Sequence, residues 1–430
     1  MRKKDIKVSI VVPSLNVKPY INECIDSIIA QSLDEIEIIC VDAKSEDGTL
    51  EALKQYEASG IIKLITSDVR SYGVQMNMGI HEAKGEYVGF VESDDFIDEF
   101  MYEKLYKCAC NNDADVVMSD YIMFEDYNGG RNEYLKRIGA NQNMYNQILC
   151  PSKNAVMLRG NYINPTGLFR KTFLEENNIF FNETPGAAYQ DVGFLFLLLL
   201  KARKWVNIDA PFYFYRQDNP NSSIASKEKL ECPFDEYSYI YANLEDNKWA
   251  LPIFYCRKFG SYLHTLDRVC WDLKYDCIKR INQEFSIAKA QEELDTSLFS
   301  PSWISTLNQI LLDPLAFYEK HIRLRESVYK NIKMNRNIVI YGCGVVGKKI
   351  FDLMDVEEQN NVIGFAVSKQ ENEYVYKGKH IEEIWKYMER RKDVSVLVGT
   401  SSKYLNEILV KLDNMGFANV ITLDGVVDEW

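Results

Sequence analysis

The chain has 430 residues, 47% of them hydrophobic and 26% charged, with a net charge of −13 at pH 7 and a pI of about 5.1. That length exceeds one ordinary core and predicts two or three domains. The acidic balance excludes a general role on nucleic acid, which needs a basic face.

The start MRKKDIKVSIVV is basic and then apolar, but Pro13 and Asn16 cut the run short, so no secretory leader is expected. The longest later apolar run, 194–200, falls well below the roughly 20 residues that cross a bilayer. It predicts a core helix or an interfacial segment. The ten cysteines are scattered, which fits reduced thiols in a cytosolic protein. His81, His264, His321 and His380 are isolated and make no metal set.

In chain order, the β-branched run 8–12 predicts a strand that Pro13 stops. Ile21, Cys24, Ile25, Ile28 and Ile29 fall at helical spacing. Strands are predicted over 36–41, 61–65, 87–91 and 116–118. Helices are predicted after the turn Asp47-Gly48-Thr49, over 76–83 and over 101–110. Strand and helix in strict turn imply an α/β fold, with a mostly parallel sheet flanked by helices. Ligands then bind beyond the carboxyl ends of the strands, where Asp42 and Asp94 stand. Residues 121–160 are polar and Asn-rich and are expected to form an irregular excursion, mobile or facing an acceptor. Residues 228–334 are rich in helix formers and predict a helical linking region. From 335 a second, smaller Rossmann-like α/β domain is expected: strand 338–340, a glycine turn, helix 348–354, then strands 362–367 and 394–398. The predicted domains are therefore 1–227, 228–334 and 335–430.

Glu92-Ser93-Asp94-Asp95 ends the fourth strand. Hard carboxylate oxygens in this position suit Mg2+ or Mn2+ together with a substrate diphosphate; the same residues also suit a helix cap. Their surroundings narrow the choice. The chain reads Val12-Pro13-Ser14-Leu15-Asn16, then Val41-Asp42-Ala43-Lys44-Ser45-Glu46-Asp47-Gly48-Thr49. Asn77-Met78-Gly79 and Ala83-Lys84-Gly85-Glu86-Tyr87 follow, then the acids. In this order the motifs resemble the family 2 glycosyltransferases, whose nucleotide-sugar domain is of the GT-A type.

The resemblance implies nucleotide-sugar contacts at Pro13, Asn16, Asp42, Asn77 and Asp94, and metal contacts at Asp94 and Asp95. It departs from the family at Ala43 and Lys44, where a second Asp and a Gly are usual, and at Glu92, which stands for the first Asp. Further on, Gln190-Asp191 matches the family's Glu-Asp pair. The resemblance makes Asp191 the catalytic base; an N-cap for the apolar helix that follows is the plainer reading. Tyr213-Phe214-Tyr215-Arg216 and Asn221-Ser222-Ser223 also match. There Arg216 meets either the diphosphate or a surface ion pair.

The second domain carries Gly342-x-Gly344-x-x-Gly347 after a strand, the spacing of a dinucleotide turn and a possible second nucleotide site. The next strand runs into Ser368-Lys369-Gln370 with no acid before Glu371. That disfavours NAD and favours a domain used for packing or dimerisation.

The function expected from the resemblance is an inverting, metal-dependent glycosyltransferase of surface polysaccharide assembly. It would take a nucleotide-sugar donor and a glycan or lipid-linked saccharide acceptor. A cytoplasmic location, peripheral contact with the inner face of the membrane and a homodimer belong to the same expectation. A nucleotidyltransferase is disfavoured, because the loop Pro13-Ser14-Leu15-Asn16 lacks the glycines and basic residues such enzymes carry. An inactive nucleotide-sugar-binding scaffold stays open through Ala43, Glu92 and Gln190.

Overall fold

The computed structural model describes residues 5–127, 130–154, 157, 160–220, 230–244, 247–323, 335–354, 356–369, 375–400 and 402–422. The chain divides into two compact units, Met1–Phe254 and Tyr255–Trp430.

The first unit is built on one sheet. Its strands are β1 (Val8–Ser14), β2 (Ile36–Asp42), β3 (Ile62–Thr66), β4 (Tyr87–Phe90), β5 (Phe96–Ile97), β6 (Val116–Tyr127), β7 (Gly130–Lys136), β8 (Gly167–Arg170) and β9 (Trp205–Arg216). The order is β3-β2-β1-β4-β8-β6-β9-β5, with β7 paired to β6. Strands β3, β2, β1 and β4 are parallel. Strand β8 runs antiparallel between β4 and β6, and β9 is parallel to β6. The helices are α1 (Ile21–Ile29), α2 (Thr49–Ala58), α3 (Tyr72–Glu82), α4 (Met101–Asn112), α5 (Lys171–Glu176), α6 (Gln190–Lys201) and α7 (Glu231–Ala242). The α/β class and the strands read from the first 120 residues are as expected.

Part of the irregular excursion expected over 121–160 is instead a hairpin, β6–β7. Tyr121 and Phe124 of β6 are buried, while β7 is exposed along nearly its whole length. An exposed, charged edge strand carries no hydrophobic alternation, so its sequence reads as loop.

The apolar run 194–200 lies in α6 and is buried throughout. Among the described residues no helix is long and apolar enough to cross a membrane. Phe194 stacks on Phe181 at 4.1 Å between ring centroids, and Phe90 of β4 meets both edge-on, at 5.5 and 5.6 Å. Each buried Phe contributes about 1.5–3 kcal/mol. This cluster fixes the start of α6 beside the end of β4.

The sequence reading assigns helix α7 to the linking region 228–334. Instead it belongs to the first unit: Tyr239 Oη donates to Phe180 O at 2.9 Å, and Glu236 packs on Gly193 of α6. The division between units falls within α8 (Leu251–Arg268).

The second unit continues with α9 (Trp271–Ala290), α10 (Pro301–Leu312) and α11 (Pro314–Tyr318). Phe259, Phe285, Phe299 and Trp303 form their aromatic core. The small sheet has strands β10 (Ile338–Tyr341), β11 (Val362–Val367), β12 (Val375–Tyr376), β13 (Lys379–Glu383), β14 (Ser395–Val398) and β15 (Asn419–Ile421). Its order is β12-β13-β11-β10-β14-β15, parallel except for the β12–β13 pair. Helices α12 (Val345–Leu353), α13 (Val356–Asn361) and α14 (Ser402–Asn414) complete it. The Rossmann-like reading of this segment holds in its topology.

Phe194→Ala empties the centre of the aromatic cluster and is expected to destabilise the first unit by about 3–5 kcal/mol in chemical denaturation. A loss below about 1 kcal/mol would show that the cluster is not its core.

Candidate active site

The parallel half of the sheet brings the ends of β1, β2 and β4 together. At β2, Asp42 is fully buried. Its Oδ2 accepts from Ser14 Oγ at 2.8 Å and Ser45 Oγ at 2.7 Å, and its Oδ1 accepts from Ser45 N at 2.8 Å. Asn16 has a left-handed φ of 54°, and its Oδ1 accepts from Glu46 N at 2.9 Å. Gln75 of α3 donates to Ser14 O and Val41 O. The loops after β1 and β2 are thus zipped together. Pro13 is buried and Asn16 exposed. Lys44 projects outward and pairs with Asp68 at 2.6 Å.

The acidic turn comes next. Asp95 is 1% exposed. Its Oδ2 accepts from Tyr213 Oη at 2.5 Å and its Oδ1 from Arg216 N at 2.8 Å. Burial pushes its carboxyl well above the usual range, and the Asp94 charge adds to this. Of the two aspartates expected to meet a metal, Asp95 therefore faces the fold. Asp94 is half-buried, with Oδ2 accepting from Asn219 Nδ2 at 2.7 Å.

Arg216 sits behind the turn. Its Nε donates to Asp94 O at 2.8 Å. Its Nη atoms pair with Glu23 at 2.6 Å, Asp126 at 3.4 Å and Asp218 at 3.5 Å, and the guanidinium lies over Tyr20 and Phe124. With a side chain only 4% exposed, Arg216 forms a buried ion-pair hub rather than a surface pair. Its donors are turned to protein, not to a diphosphate. The Asn221-Ser222-Ser223 match lies outside the described residues.

Glu92 turns away from both aspartates. Its Oε1 accepts from Tyr72 Oη at 2.6 Å. Burial pushes its carboxyl up to about 8; the Tyr72 hydrogen bond opposes this, while the charges of Asp94 and Asp191 reinforce it. The extra methylene of Glu over Asp lets it reach α3.

Asp191 arrives on a heavily fastened loop. Tyr189, with φ of 70°, holds the cap position of α6, so Asp191 lies inside the first turn and is not the cap. A carboxylate there is favoured by the helix dipole. Burial raises its pKa. Asn77 donates to Phe181 O and Glu183 Oε1 and accepts from Phe181 N, so its amide pins the loop. A Cβ on Gly73 would stand 1.9 Å from Asn182 O; only glycine lets α3 lie this close. Buried Gln190 donates to Thr184 O, Thr184 Oγ1 and Gly186 O and accepts from Ala188 N. A glutamate would set its charge against two carbonyls, so the departure from Glu-Asp is matched by the loop it staples.

Sequence reasoning missed Tyr72, Asn219 and Glu236. Glu236 is 1% exposed. Its Oε2 accepts from Asn182 Nδ2 at 3.0 Å, and a Cβ on Gly193 would lie 1.9 Å from its Oε1. Lone polar residues, two on helices and Asn219 in the loop after β9, carry no motif, so nothing in the sequence points to them.

In the second unit Gly342 has φ of +109°, and a Cβ on Gly347 would stand 1.9 Å from Gly342 O. Those two glycines serve close helix–strand packing. A Cβ on Gly344 would meet nothing within 4 Å. Where a dinucleotide site wants an acid, Ser368 Oγ meets Tyr341 Oη at 2.6 Å and Lys411 Nζ at 3.1 Å. Glu371 is outside the described residues.

The site is thus a mixed sheet with zipped loops at the ends of its parallel strands, an acidic turn and a helix-borne carboxylate. The Glycosyl transferase family 2 model matches residues 9–190. GlyG, a glycosyltransferase of Streptococcus pneumoniae, is 31% identical over 49% of this chain and 70% of its own length. The chain belongs to glycosyltransferase family 2. It is also similar to the uncharacterised glycosyltransferase EpsJ of Bacillus subtilis, 32% identical over 50% of this chain and 62% of that protein. A poly(ribitol-phosphate) beta-glucosyltransferase of Bacillus spizizenii is 31% identical over 51% of this chain and 34% of its own. The chain thus spans less than two thirds of these last two relatives. Among solved structures, Staphylococcus aureus TarS 1-349 in complex with UDP-GlcNAc matches with a TM-score of 0.59 at 19% identity, over 76% of this chain and 92% of that one. That likeness establishes the GT-A-type fold.

Burial pushes the Glu236 carboxyl up to about 8, from 4.5. Between those values the native state holds a proton that the unfolded chain has lost, so stability falls as pH rises through this window. Glu236→Gln is expected to flatten that fall in melting temperatures measured from about pH 5 to 8. An unchanged slope would show that Glu236 ionises freely.

Proposed function

We propose that the first unit transfers a sugar, with inversion, from a nucleotide-diphosphate donor to an acceptor hydroxyl in surface-glycan assembly. The observation that carries this reading is Asp191, a half-buried carboxylate held at the start of α6 close enough to Glu92 and Tyr72 for its charge to act on both. The donor lies across the ends of β1, β2 and β4, with its nucleoside against the zipped loops of Pro13, Asn16 and Asp42. Asp191 takes the proton from the acceptor hydroxyl as that oxygen attacks the anomeric carbon. The bond to the diphosphate breaks, and a nucleoside diphosphate leaves. Burial raises the proton affinity of Asp191, which suits a general base.

Among the described residues no group of three or more side chains is arranged to hold a metal. Half-exposed Asp94 fits a cation held by one carboxylate together with substrate phosphates, a common arrangement for magnesium. Such a cation, Mg2+ or Mn2+, would offset charge growing on the leaving diphosphate. The acceptor class follows the relatives' names, which include poly(ribitol-phosphate) glycosyltransferases; we place the reaction at the cytoplasmic face, on a glycan or lipid-linked saccharide. The substitutions at Glu92 and Gln190 each have a partner in the fold, so neither by itself argues for an inactive scaffold.

Asp191→Asn is expected to lower transfer by about 10²–10⁴-fold, measured as nucleoside diphosphate release with acceptor present; full activity would remove the base from this residue. Chelation is expected to stop transfer and added Mg2+ or Mn2+ to restore it, with Asp94→Ala needing more metal. Transfer indifferent to both treatments would refute the cation.

A further inference from the structure

Asn164 opens a 3-10 turn, Asn164–Thr166, that runs straight into β8. It is 1% exposed. Among the described residues, neither its carboxamide oxygen nor its nitrogen has a hydrogen-bond partner. A buried amide left unpaired costs on the order of 1–3 kcal/mol, so a fold retains one where something else uses it.

Its place says what that is. Strand β8 pairs antiparallel with β4, Gly89 opposite Leu168. Continuing that register sets the turn beside residues 90–92, at the carboxyl end of the sheet. The Asn164 amide lies near the Tyr72 hydroxyl without the geometry of a bond to it, and that hydroxyl donates to Glu92. Glu92 in turn feels the charges of both Asp94 and Asp191. The group Asn164–Tyr72–Glu92 is therefore close both to the acidic turn, where the diphosphate ends on the transferase reading, and to Asp191, where attack begins. The sugar being transferred must occupy that interval. An anion would be repelled by the surrounding carboxylates. A neutral ligand that both donates and accepts matches a carboxamide, and a sugar hydroxyl does so.

We propose that Asn164, beside the half-buried Tyr72, is the residue that reads a hydroxyl of the transferred sugar and so sets donor-sugar specificity. This rests on the transferase reading above. Leucine shares the branching of asparagine but is much larger and would overpack a buried site, so Asn164→Ala is the variant that removes the unpaired amide.

The test measures binding of UDP, UDP-glucose, UDP-galactose and UDP-N-acetylglucosamine to the full chain with Mg2+, alongside melting temperature. Asn164→Ala is expected to melt near the wild-type temperature, since the small cavity it opens is offset by removal of an unpaired polar group. UDP affinity is expected to stay within about twofold, while affinity for the preferred UDP-sugar falls about tenfold and the preference among sugars narrows. Equal losses for UDP and UDP-sugar, an unchanged sugar preference, or a lowered melting temperature would each overturn the assignment and leave the transferase reading standing. A wild-type chain that binds UDP but none of the sugars overturns both.

Discussion

The arrangement of the site depends on one buried carboxylate. Asp95 is enclosed by protein, and a buried polar group costs free energy unless it is hydrogen-bonded. Strand β9 supplies the bonds: the Tyr213 hydroxyl and the Arg216 backbone N–H. The same hydroxyl accepts from Glu92 N at 3.1 Å, and the Arg216 guanidinium holds Asp94 O. One strand end thus grips the turn at three residues, Glu92, Asp94 and Asp95. With Asp95 fixed inward, Asp94 is left facing the site and Glu92 is directed toward α3. Arg216 is itself held by Glu23, Asp126 and Asp218, so the positive charge among these acids is a part of the protein, and the hub joins α1, β6 and β9 to β4.

A second set of contacts does for Asp191 what β9 does for the acids. The loop before α6 has no regular structure, yet nearly every turn of it is fastened. Gly73 lets α3 touch its backbone, Asn77 bonds to both sides of Phe181, and Gln190 gathers Thr184, Gly186 and Ala188. Glu236 closes the far side against Gly193. The aromatic stack of Phe90, Phe181 and Phe194 lies directly below. Apolar packing sets where the loop sits, and the polar bonds set how it is turned. A carboxylate in the helical turn that follows such a loop keeps its position without an ion-pair partner among the described residues, which suits a group that must take up a proton.

Residues expected to touch the ligand turned out to divide in two. Asp42, Asn77, Asp95 and Arg216 stand where the motifs put them, but their polar atoms are engaged in the protein. Asn16, Asp94 and Asp191 remain on the exposed or half-exposed side. A motif records that a residue type is needed at a place; it does not say whether the need is for ligand or for fold. Short polar side chains at strand ends serve both, because those ends are where backbone groups lose their sheet partners.

The sequence by itself determined the alternating strands and helices of the first 120 residues, the core character of 194–200 and the second α/β unit. Each of these rests on local periodicity or on glycines needed by nearby backbone. It also placed Asp94 and Asp191 at element ends. The β6–β7 hairpin, the attachment of α7 to the first unit, and the grouping of Tyr72, Asn164 and Glu236 around the carboxylates were decided only by tertiary structure. Their partners lie far along the chain: Tyr213 is 118 residues from the aspartate it bonds. A hydrogen bond over that separation leaves no period in the sequence, because its geometry exists only once the strands between have paired.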